Sequence, residues 1–98
     1  MKTIDTTKRV QNIPNPQSQY YVILTYEIGT NNLLKVSVRQ REDVNSYMKN
    51  LTNKYPVEFE FSGHQNTSNA YSYKDDVQRS RMHLRMTDRD RAKRFKGL

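Results

Sequence analysis

Nineteen of the 33 hydrophobic residues fall in the 42 positions from 20 to 61, leaving fourteen for the other 56. Only 34% of the 98 residues are hydrophobic, and Leu, Ile, Val and Phe together number 20. That is the edge at which chains stop folding unaided, so the chain has material for one core, and every apolar face in its centre is needed to build it. The expected organisation is a flexible N-terminal arm over residues 1–19, an α+β core over 20–74 and a basic C-terminal segment over 75–98.

Within the centre, Tyr20 to Ile28 is aromatic and β-branched with both faces largely apolar, which reads as an interior strand. Gly29-Thr30-Asn31-Asn32 tolerates positive φ and makes a hairpin connection. Leu34, Val36 and Val38 then alternate with Lys35, Ser37 and Arg39, the pattern of a half-buried strand with a cationic outer face. Glu42 and Asp43 place negative charge at a helix start, and Val44, Tyr47, Met48, Leu51 and Tyr55 form one apolar stripe ending at Pro56. A core this small uses such a stripe for packing on the sheet.

Val57, Phe59 and Phe61 alternate with Glu58 and Glu60 and predict a third strand. Strand, helix and strand in succession suggest a parallel crossover beside strand one or two. Residues 62–69 read as loop, with His64 as a solvated side chain lacking a second ligand at metal spacing. Tyr71 and Tyr73 fit either the inner face of a short edge strand or a stacking surface for unpaired bases. The fold class is thus α+β: a small sheet of three to four strands, one packed amphipathic helix and a basic C-terminal helix.

The C-terminal helix is preferred over one competitor. Asp75 or Asp76 caps a helix to about Phe95 that lines up Arg81, Arg85, Arg89 and Lys93 every four residues, with Lys96 beside them. Alternatively, Met82, Leu84 and Met86 alternate with Arg81, His83 and Arg85 as a strand over 80–86.

Charge is polarised along the chain. The formal net charge is +7, and from Lys74 to Leu98 nine Lys and Arg face four Asp. Six of those nine are Arg, whose planar fork holds two phosphate oxygens and stacks on bases. Pairs within a helix contribute only a few tenths of a kcal/mol, roughly, and leave five cations unmatched. This pattern predicts a non-enzymatic nucleic-acid binder, DNA or RNA. The contacts expected are Arg79, Arg81, Arg85, Arg89, Arg91, Lys93, Arg94 and Lys96, with Tyr71 and Tyr73 beside them and Lys8 and Arg9 in the arm.

Two other readings compete. A short, cationic, asparagine-rich chain has the style of phage and plasmid accessory proteins, anti-CRISPR inhibitors among them, which would dock on an acidic protein or nucleoprotein surface. A metal-independent ribonuclease would need Glu58 or Glu60, His83 and Arg85 around one phosphate. No cofactor or metal is expected, because cysteine is absent and no ligand spacing or glycine-rich phosphate loop occurs. No apolar run approaches the ~20 residues of a membrane span, and Met1 to Asp5 leads into polar sequence rather than an apolar leader. A cytoplasmic site is the expectation.

Overall fold

A computed structural model describes residues 9–82. Strands β1 (Tyr20–Glu27), β2 (Leu33–Gln40) and β3 (Val57–His64) form one antiparallel sheet in the order β2-β1-β3. Helix α1 (Val44–Lys54) joins β2 to β3, and α2 (Thr67–Val77) follows β3. The architecture is α+β.

β1 takes the central place because it alone is apolar on both faces, and from Tyr21 to Glu27 every residue is buried. β3 does not pair parallel to its neighbour, as the strand-helix-strand succession suggested. It lies antiparallel beside β1, Ile23 opposite Phe61 and Thr25 opposite Phe59. β2 and β3 therefore run in the same direction with β1 between them, and the connection through α1 passes over the central strand. Glu58 and Glu60 suit β3 to the edge.

The two faces of the sheet carry separate cores. On one, Tyr21, Ile23, Val57 and Phe59 meet Val44 and Met48 of α1, with Tyr47, Leu51 and Tyr55 packed around them. On the other, Val22, Leu24, Tyr26 and Val36 meet Ala70 and Val77 of α2. An irregularity between Thr25 and Tyr26 shifts the register so that Leu33 joins the second core and Leu34 the first. Phe59, Ile23 and Met48 are completely buried, each worth roughly 1.5–3 kcal/mol of transfer free energy. The expected stripe on α1 packs on the sheet, but a second helix covers the opposite face. The side of β2 read as solvent-facing is covered too: Ser37 is buried and its hydroxyl lies 2.9 Å from that of Tyr47.

α2 replaces two expectations. Residues 62–69 are not one loop, since β3 runs to His64 and the helix begins at Thr67. Asn66 caps it, its side-chain oxygen accepting from the Asn69 N–H at 2.8 Å, so the start lies well before Asp75 and Asp76. Tyr71 and Tyr73 are helical rather than on an edge strand, and no fourth strand exists among the described residues. α2 crosses position 74 unbroken and continues as a π-helical turn, Gln78–Met82. Residues 80–82 are therefore helical and not the start of a strand; the remainder of both C-terminal readings lies outside the described residues.

The described part of the N-terminal arm touches the core. Val10 exchanges two 2.8 Å backbone hydrogen bonds with Phe59, and Ile13 is 3% exposed. The Asn45 side chain accepts from the Ile13 N–H and donates to its carbonyl, replacing the sheet partners that segment lacks. Residues 1–8 lie outside the described region.

Candidate nucleic-acid interface

Of the twelve residues that the sequence pattern singles out, Arg9, Tyr71, Tyr73, Arg79 and Arg81 are described. Lys8, Arg85, Arg89, Arg91, Lys93, Arg94 and Lys96 lie outside. All three arginines of that set that are described face carboxylates of the chain itself. Arg79 reaches Asp76 at 3.2 Å, an exposed pair one turn apart. Arg9 and Arg81 converge on Glu60 from two directions, at 3.2 and 3.3 Å.

That convergence is built by the register. Glu58 and Glu60 alternate on β3 toward the α2 side of the sheet, where Tyr26 lies opposite Glu58. The bridge from Val10 to Phe59 brings Arg9 alongside Glu60. Arg9 also reaches Glu58 at 3.4 Å, donates to Asn31, and lays its guanidinium carbon 3.6 Å from the Tyr26 ring centre. From the π-helical turn, Arg81 donates to the Tyr26 hydroxyl at 3.2 Å. Burial, reinforced by the Glu60 charge, raises the Tyr26 phenol above its ordinary value, against Arg81 and Arg9, which pull it down. For Arg81, burial alone would lower the pKa; the Tyr26 hydrogen bond and the charges of Tyr26 and Glu60 outweigh it and raise it. The carboxylates named for ribonuclease chemistry are thus engaged with guanidinium groups, and His83 and Arg85 lie outside the described residues.

Six other cations stand without a carboxylate at ion-pair distance among the described residues: Lys35, Arg39, Arg41, Lys49, Lys54 and Lys74. Lys35 and Arg39 come from β2, the edge strand opposite β3, and Lys74 from α2. Arg39 is held over the Tyr47 ring, 4.1 Å from its centre, and donates to the Val38 carbonyl at 2.8 Å. Partial burial, followed by the positive charges of Arg39 and then Lys74, lowers the Lys35 pKa. Lys35 thus feels two like charges, from Arg39 on its own strand and from Lys74 on α2, and a bound anion would relieve both. Lys74 also lies 5.6 Å from the centre of the Tyr71 ring, which is 51% exposed. Tyr73 faces the other way along β3, its ring 5.3 Å from His64, whose Nε2 is 2.9 Å from the Ser62 hydroxyl.

In sequence, the alternation of Lys35, Ser37 and Arg39 is the signal for this cluster, but the same alternation marks any half-buried strand and so points to structure first. The third member depends on where α2 crosses the sheet, which no local pattern reports.

No family model, curated protein or solved structure matches the chain. Among the described residues no helix is long and apolar enough to cross a membrane, and no three His, Cys, Asp or Glu gather at metal-binding distance.

Proposed function

We propose that the chain is a non-enzymatic nucleic-acid-binding protein. It holds phosphates through Lys35, Arg39 and Lys74 together with the basic stretch carrying Arg85, Arg89, Arg91, Lys93, Arg94 and Lys96. The observation that carries this reading is Lys35, which feels the positive charges of Arg39 and Lys74 and, like both of them, has no carboxylate at ion-pair distance among the described residues. Holding like charges together costs stability, and a polyanion returns it by occupying the site. Arg9 and Arg81 hold the N-terminal segment and the end of α2 to β3 and are not assigned phosphate contacts.

The test is fluorescence anisotropy with labelled oligonucleotides across a salt series. Removing one phosphate-binding cation reduces the log–log salt slope by roughly 0.7–0.9. The triple variant Lys35→Gln, Arg39→Gln, Lys74→Gln should therefore flatten the slope by about 2–3. Binding by the parent that is flat with salt, or absent at low salt, would refute the proposal; co-purification of a protein partner after nuclease treatment would then favour docking on an acidic protein surface.

A further inference from the structure

Tyr71 is the most exposed of the large hydrophobic side chains among the described residues, at 51%. It sits one helical turn before Lys74 on α2, so the two side chains share a face. The Lys74 ammonium lies 5.6 Å from the ring centre, and Lys74 is in turn close enough to Lys35 to influence its charge. An aromatic ring thus adjoins one of the cations proposed to hold phosphates. Neither core uses it: Ala70 and Val77 supply the buried side of α2, and Tyr73 packs against it.

Phosphate contacts alone do not distinguish duplex from single strand, whereas a half-exposed ring beside them does. Bases in a duplex have their faces covered by their neighbours. An unpaired base offers a π-face that stacks on tyrosine whatever its sequence, while the adjoining phosphate meets a cation. We infer that Tyr71 is a base-stacking residue, and that Tyr71 with Lys74 forms part of a site for single-stranded nucleic acid with little base preference. This deepens the phosphate-binding proposal and depends on it.

The experiment compares an oligothymidine of about a dozen nucleotides with a duplex of equal length, binding the full chain and its variants. The parent should bind the single strand more tightly. Tyr71→Ala should weaken single-strand binding by roughly 5- to 100-fold, with the salt slope unchanged, while Tyr71→Phe, which keeps the ring, should bind as the parent does. Duplex affinity should change little. Circular dichroism of Tyr71→Ala confirms that an exposed substitution leaves the fold intact, and Tyr71→Phe reports on the ring if it does not. Unchanged single-strand affinity in Tyr71→Ala, or equal weakening on both oligonucleotides, overturns the stacking role while leaving phosphate binding standing. A parent that binds neither oligonucleotide overturns both.

Discussion

Replacing Glu60 with Gln should move stability and polyanion affinity in opposite directions. Its carboxylate is mostly buried, with 12% of the side chain exposed, and it receives Arg9 and Arg81, whose side chains are 20% and 42% exposed. Removing one partner of a fully buried pair costs about 3–5 kcal/mol, because the other charge is left uncompensated. Exposed pairs contribute about 0–1 kcal/mol. Arg81 is close to the exposed limit, and Arg9 keeps Glu58 at 3.4 Å, so most of the buried penalty does not apply. Glutamine also retains one oxygen that accepts a single guanidinium. The expected destabilisation is about 2 kcal/mol, or roughly 8–16 °C in Tm for a domain of this size. Urea unfolding followed by circular dichroism measures it, with an unchanged m-value confirming that the folded state is intact. Pairing the substitution with Arg81→Gln should give a coupling energy of at least about 0.5 kcal/mol. Affinity for an oligonucleotide should rise, since the variant gains a net positive charge and the Arg81 guanidinium loses its carboxylate. A stability within about 0.3 kcal/mol of the parent, or effects of the two substitutions that simply add, would refute the account of Glu60 as the anchor of both arginines.

Two further outcomes follow from the interior and from the cation cluster. Thr25 is completely buried and its hydroxyl finds no hydrogen-bond partner among the described residues. Thr25→Val keeps the branched shape and removes the stranded polar group, so chemical denaturation should show a gain of about 1 kcal/mol. Lys35 titrates below its ordinary 10.5 first through burial, then through Arg39 and Lys74. A lysine lowered by folding binds fewer protons in the native state. Stability attributable to it therefore rises with pH from the folded value up to the unfolded one, and is lowest where both states are protonated. Arg39→Gln should move the Lys35 pKa back toward 10.5 and Lys74→Gln should do so less, as read by NMR of the side-chain ammonium. An unchanged titration in both variants would show that burial alone sets it.

The strands, the β1–β2 hairpin and α1 are legible in the sequence because their signals are local. Tyr20 to Glu27 is apolar on both faces, Gly29 and Asn31 supply the positive φ of 95° and 68° that the hairpin requires, and the apolar stripe of α1 ends before Pro56. α2 is legible in principle, since Asn66 as a cap and Ala70, Tyr73 and Val77 at i, i+3 and i+7 carry a helical period. The serine, asparagine and glutamine around that period read as loop, because polar residues near a helix start resemble polar residues in a turn. Only packing against Val22, Leu24 and Val36 tips the segment to helix.

What the chain determines by itself is where a core can form, which strand is buried on both faces, and how much positive charge remains after its ten acids are counted. Tertiary structure decides which cations those acids reach. The arginines most conspicuous in sequence, Arg79 and Arg81, have carboxylates beside them, while Lys35, Arg39 and Lys74 have none among the described residues. The physical reason is range. Hydrophobic periodicity is set by neighbours within one or two turns, but a carboxylate and a guanidinium meet across 51 residues when an antiparallel bridge puts Arg9 beside Glu60.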